Sequence, residues 1–234
     1  MKRFGFLPFR RTLEDAQMPR RYKYHFIHIP KNGGTSVRVA LERRGDVSLG
    51  RPYHSRYVDV VADLGLGLRY FCVVRNPWSR TASRYVFAKQ NARDWPRNDP
   101  RRRYIEKASF EQYVKEQRVF EIPEHPGKPW MGPMNSWFNQ LEWITDENQI
   151  VQCDCLRLEK LEADLDTYFG EHIQLPRKNP TKKRYHYRDM YTDQLIDIVG
   201  ETFERDIDYF GFTFEGPATR HVVAEREASR AASE

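Results

Sequence analysis

The stretch YHFIHIPKNGGTS, from Tyr24 to Ser36, opens as an apolar run of strand length and breaks at Pro30 into a turn carrying Gly33 and Gly34. A short apolar run bounded by turn residues fits a buried strand, and Val37, Ala40 and Leu41 then share one face of a helix from Ser36 to about Arg44. Thr35 and Ser36 are candidate caps for it. The same order recurs from Arg69, where RYFCVV is a second apolar strand ending at Arg75. Asn76 then supplies an N-cap, and Pro77 the first position of a helix to about Lys89. Two strand–turn–helix units in succession predict an α/β fold with a central parallel sheet flanked by helices and ligands at the carboxyl ends of its strands.

Farther along, residues 91–108 are dense in Arg, Asp, Asn and Pro and read as an exposed excursion, with a helix from Phe110 to Val119. Four prolines between Pro123 and Pro133 mark an extended loop. Gln149 to Leu158 reads as a strand and Glu159 to Phe169 as a helix. Thr192 to Glu204 is an amphipathic helix with Leu195, Ile196, Val199 and Phe203 on its apolar stripe. These elements make one domain over 23–215, with an N-terminal arm over 1–22 and a flexible tail over 216–234.

Pro30 to Ser36 has the parts of an oxyanion cradle. Gly33 and Gly34 let backbone amides approach a ligand, the helix start offers partial positive charge, Lys31 adds a full charge, and Thr35 and Ser36 add hydroxyls. It is not a Walker loop, which puts its lysine after the last glycine, whereas Lys31 precedes both. The bland alternative is a strand-to-helix turn that uses Gly-Gly for geometry alone. In the second unit Ser83 follows Arg75 by about two helical turns, so a guanidinium and a hydroxyl can converge on one phosphate, with Arg80 nearby.

HIPKNGGTS followed by VVRNPWSRTASRY resembles the sulfotransferase superfamily, in particular the carbohydrate and bacterial branch related to the heparan and uronyl 2-O-sulfotransferases. LRLEKLEADL and DIDYFGF resemble later elements of that family, so the likeness spans most of residues 24–214. It implies a P-loop-like three-layer fold that transfers a sulfuryl group from 3′-phosphoadenosine 5′-phosphosulfate (PAPS) to an acceptor hydroxyl of a carbohydrate. The product would be adenosine 3′,5′-bisphosphate, and no metal is required. By that likeness Lys31, Asn32, Gly33, Gly34, Thr35 and Ser36 hold the 5′ side of PAPS, and Arg75 and Ser83 take the 3′-phosphate. Asn32 stands where the family often has threonine, though its amide can still donate.

Sulfuryl transfer needs charge stabilisation at the leaving oxygen, for which Lys31 is the candidate. It also needs a base for the acceptor's proton. His54 is the candidate, because a histidine's reference pKa of about 6.5 leaves it largely neutral at working pH. The related 2-O-sulfotransferases carry a catalytic histidine in a similar place, although their His-x-His arrangement reads His54-Ser55-Arg56 here. Glu159 and His125 are reserve bases, and His25 and His28 read as structural. Arg93 to Arg103 and Pro123 to Phe138 are the expected walls of an acceptor cleft, with Trp130 and Trp137 stacking on sugar faces. Arg177 to Arg188 holds six basic residues and no acids; it either closes over the nucleotide or is a plain basic face.

The composition is compatible with these expectations. At 234 residues, 39% hydrophobic and 14% aromatic, the chain can bury one substantial core. Lys and Arg outnumber Asp and Glu by 39 to 33, a formal charge of +6 that favours anionic partners. An ATP-dependent kinase would need a Walker lysine and acidic magnesium ligands. A nucleic-acid-binding module is the other alternative, but no motif of the common readers is present and nucleic acid is not an expected partner. Cys72, Cys153 and Cys155 match no common zinc or redox spacing and read as small buried residues. No apolar run approaches the roughly 20 residues of a membrane span, and no secretory leader is read, so the expected compartment is cytoplasmic.

Overall fold

A computed structural model of the chain describes residues 22–50, 54–120, 137–176 and 186–220. Within them β1 (Tyr24–Ile27), β2 (Val47–Ser48), β3 (Arg69–Val74) and β4 (Asp154–Arg157) form one all-parallel sheet in the order β2-β1-β3-β4. The chain lays β2 on one side of β1, then crosses back through α2 (Tyr57–Leu64) to lay β3 on the other side. Tyr24 pairs with Arg69 and Ile27 with Cys72, so β1 and β3 run side by side toward the same sheet edge. Chain segments leaving the two strands there diverge, and the crevice between them is where open parallel sheets bind ligands. The two turns singled out in the sequence flank that crevice.

Both faces of the sheet are covered, which explains why the strands are continuously apolar. Successive β3 residues point to opposite faces. Phe71 and Val73 join Phe26, Val37, Leu41, Leu161 and Leu165, under α1 (Gly34–Leu41) and α7 (Leu161–Phe169). Tyr70, Cys72 and Val74 join Ile27, Trp78, Ala82, Val199 and Phe203, under α3 (Pro77–Asn91) and α8 (Asp193–Thr202). Each fully buried large apolar side chain contributes about 1.5–3 kcal/mol of transfer free energy. The start of α3 follows the sequence reading: the Ser79 amide donates to Asn76 Oδ1 at 3.1 Å, and Pro77 opens the helix.

Other elements depart from expectation for local reasons. Residues 91–108 are largely exposed, as read, but they also carry a helix with a buried position. Asp99 caps α4 (Pro100–Lys107), accepting from the Arg101 amide at 2.8 Å, and the helix buries Ile105 in the core. The helix from Phe110 stops at Glu116 as α5, where Gln117 turns left-handed with φ 45°. After α6 (Leu141–Ile144), a bridge from Thr145 to Val151 closes a turn, so the fourth strand is shorter than read. The helix expected over 192–204 breaks at Phe203 into α8 and α9 (Glu204–Phe210). Gly216 to Arg220, assigned to the tail, pack against the end of α9; Ala218 is buried and the Thr219 amide donates to the Phe210 carbonyl at 2.8 Å. The rest of the tail, and the arm up to Arg21, lie outside the described residues.

All three cysteines are buried and free, as the sequence suggested. Cys72 and Cys155 face each other across β3 and β4 with sulfurs 3.6 Å apart, and burial pushes the Cys72 thiol up. Among the described residues no helix is long and apolar enough to cross a membrane, and no group of three or more His, Cys, Asp or Glu could hold a metal ion.

Candidate functional site

The turn after β1 is shaped by its glycines for the protein's own packing. Gly33 caps α1 with φ 76°, a left-handed conformation, and a Cβ there would press into Leu158. A Cβ on Gly34 would overlap the His28 ring. Both missing side chains thus face the interior, so the protein's own packing already requires glycine at these two positions. Thr35 and Ser36 lie inside the first turn of α1 and no side chain caps it. Among the described residues the Gly34 and Thr35 amides meet no backbone acceptor, which leaves the helix's partial positive charge uncovered.

Lys31 is held in the left-handed region with φ 70°, uncommon for a residue with a Cβ and costing of order 1–3 kcal/mol. Its carbonyl accepts from Arg75 Nη1 at 2.8 Å, and its ammonium lies 4.0 Å from the centre of the Phe87 ring. No carboxylate pairs with it among the described residues. Burial first, then the charges of Arg84 and Arg75, pull its amine down to about 8. Arg75, half-buried at the end of β3, donates from Nε and Nη2 to Ser79 Oγ at 3.0 and 2.8 Å. Burial pulls it down to about 10, with Glu159 opposing and Arg80 adding to the fall. Arg84 comes down to about 9 through burial and the charge of Arg80.

Neighbouring cations thus weaken the hold of Lys31, Arg75 and Arg84 on their protons, while Arg80, lowered by burial, is opposed chiefly by Asp206. Ser79, Ser83 and Phe87 recur every four residues along one face of α3. Arg75 grips that face at Ser79 and Lys31 rests on it at Phe87. The predicted pair Arg75 and Ser83 shares this face, but the hydroxyl that orients Arg75 is Ser79. Ser79 lies four residues after Arg75, one helical turn on, the spacing at which a hydroxyl meets a guanidinium on the same face.

His54 reaches the same region. Its Nδ1 lies 3.1 Å from the His28 carbonyl, which can only accept, so Nδ1 carries the hydrogen and Nε2 the lone pair. The two imidazole centres are 4.5 Å apart. Burial lowers the His54 pKa, the His28 carbonyl partly restores it, and Arg84, Arg38 and Lys31 lower it again. The result is a neutral imidazole of fixed tautomer. His28 packs on Phe26, and buried His25 pairs with Ser48 at 2.9 Å, in line with structural roles.

Asn32 departs from its assignment as a cofactor ligand. It is 1% exposed, and its Nδ2 donates inward to the Val73 carbonyl at 2.7 Å and to Gln140 Oε1 at 2.6 Å. Gln140 was not legible as part of the site, because it lies far along the chain in an unremarkable segment.

No protein-family model and no curated protein matches the sequence.

The remaining candidates divide by their partners. Glu159 Oε1 accepts from the Asn76 amide at 2.9 Å, so this reserve base is engaged in holding the turn after β3. Trp137 is half-buried, its ring packed against the core 5.0 Å from Tyr113 and 6.4 Å from Phe203. Arg101 pairs with Asp99, and Arg102 with Glu106 and the Trp95 carbonyl, so much of the charge in 93–103 is neutralised locally. Arg188 pairs with Glu215 at 2.5 Å. His125, Trp130 and the basic residues 177, 178, 182, 183 and 184 lie outside the described residues.

Proposed function

We propose that the crevice between β1 and β3 binds a nucleotide carrying anionic groups at both its 3′ and 5′ positions. On this reading the protein is a PAPS-dependent sulfotransferase of P-loop-like fold that acts on a carbohydrate hydroxyl. One observation carries it: Lys31, Arg75, Arg80 and Arg84 lie together beside an uncapped helix start, opposed chiefly by Glu159 and Asp206. Mutually repelling buried cations are unfavourable alone, and a polyanion reverses the sign of that term. The residues therefore fit such a ligand.

When bound, PAPS supplies an activated sulfuryl group on its 5′-phosphate. The α1 first turn and Lys31 lie where the 5′ side would be held, and the Arg75–Ser79–Ser83 face of α3 offers donors to the 3′-phosphate. Lys31 opposes charge developing at the leaving oxygen. His54 Nε2 accepts the acceptor's proton, its ring fixed by the bond from Nδ1 to the His28 carbonyl.

Titration calorimetry in EDTA is expected to give about tenfold or tighter preference for adenosine 3′,5′-bisphosphate over ADP, since two phosphate sites rather than one long chain are engaged. Equal affinity, or binding of ADP only with magnesium, would favour a kinase; salt-sensitive binding without nucleotide preference would favour a nucleic-acid module. His54→Ala is expected to lower turnover about 10²–10⁴-fold while leaving bisphosphate affinity within about twofold. The acid limb of kcat/KM in the native protein should fall below pH 6.5, because the imidazole's pKa is lowered. Turnover unchanged by the substitution removes His54 as the base.

A further inference from the structure

The turn after β1 and the end of β3 are joined by one side chain from the distant segment before α6. Gln140 is fully buried, and its Oε1 accepts from Asn32 Nδ2 at 2.6 Å and from the Arg75 amide at 2.9 Å. Its Nε2 donates to the Arg75 carbonyl at 2.9 Å and to Asp206 Oδ2 at 3.2 Å. The orientation of the carboxamide is unambiguous, because flipping it would set the NH₂ against two donors and the oxygen against two acceptors. Asp206 on α9 is itself fully buried and fixes this arrangement, its two oxygens accepting from the Gln140 and Leu141 amides at 2.7 and 3.0 Å. Every hydrogen-bonding position of the amide is thus occupied by a group that belongs to, or braces, one wall of the crevice.

We propose that Gln140 is a positioning residue that sets the separation between the two anion-holding segments, the turn at Lys31–Ser36 and the α3 face that begins at Arg75. This inference rests on the two-phosphate reading of the site. Neither Gln140 nor Asn32 touches ligand; each acts by holding backbone that does. A ligand that bridges both segments depends on their spacing, whereas one that engages a single segment does not. Mere support of the fold would make no such distinction.

The experiment compares affinities of the full chain for adenosine 3′,5′-bisphosphate and for AMP, which lacks the 3′-phosphate. Gln140→Met keeps the volume and deletes the four side-chain hydrogen bonds, and Asn32→Ala deletes only the two on the turn side. For each variant the expected result is a loss of about tenfold or more in bisphosphate affinity with AMP affinity changed less than about twofold. Parallel loss of both nucleotides, or loss of neither, overturns the positioning role. Should neither variant show a cooperative unfolding transition, Gln140 is a determinant of folding and the role is withdrawn. Failure of the two-phosphate reading has a separate signature: the native protein would then bind AMP as tightly as the bisphosphate.

Discussion

Lys31→Ala is expected to lower turnover about 10²–10³-fold, the range seen when one preorganised charge-stabilising donor is removed, with a loss of only about tenfold in bisphosphate affinity. The asymmetry follows from where the ammonium acts. Arg75 and the α1 first turn still attract the ground-state ligand, whereas the Lys31 ammonium is the group assigned to oppose charge as the bond to the leaving oxygen breaks. Lys31→Arg should not restore turnover, because a planar guanidinium does not replace a compact ammonium resting on Phe87. The native protein carries a matching pH signature. With its amine pulled down to about 8, Lys31 is cationic below that pH and neutral above it. Turnover should therefore fall as pH rises through about 8, and the alanine variant should lack that limb. Equal losses in turnover and affinity would make Lys31 a binding residue only.

Acidification from pH 7 to pH 4 is expected to remove about 3 kcal/mol of folding stability through His25 alone. Burial, with the Arg38 charge secondary, lowers its pKa to about 4 in the folded protein. Unfolded, it titrates at about 6.5. Below 6.5 the unfolded chain takes up a proton that the folded protein refuses, so stability falls as pH drops and the loss levels off near 4. His28, lowered to about 3 by burial and by His54, Arg38 and Lys31, acts in the same direction. Asp206 opposes them, since burial raises its pKa and its folded form protonates the more readily of the two states. Urea midpoints at pH 7, 5.5 and 4 measure the slope. His25→Asn, which retains a polar partner for Ser48, should flatten it; an unchanged slope would assign the acid sensitivity elsewhere.

The parts of the fold legible in sequence are those with unbroken local signals. β1 and β3 are continuous apolar runs because both sheet faces are covered, and α3 announces itself through Asn76-Pro77. α4 also carried signals, an Asp99 cap, Pro100 and Ile105, but three consecutive arginines obscured the one buried position. β2, two residues long, offers no period to detect. In the site, Lys31 and Arg75 were readable as chemistry after the two strands, and His54 as a histidine in the loop before α2. Arg80 was readable only as a neighbour of Arg75 and Arg84 not at all, because arginine is ordinarily a surface residue and only the tertiary structure buries these two. Gln140 and Asp206 acquire their roles only through partners more than sixty positions away.

That distance has a kinetic consequence. Asn76, which starts α3, donates from Nδ2 to the carbonyls of Thr213 and Gly216 at 2.8 and 2.9 Å, spanning 137 and 140 positions. On a ribosome, β1, β3 and their turns emerge long before the segments that brace them. The sheet can pair early, yet the crevice acquires its final shape only after synthesis has passed Gly216 and the largest loops have closed. Until then the nascent chain carries these cations without the scaffold that orders them, and on the proposed reading anion binding would be the last property of the fold to be acquired.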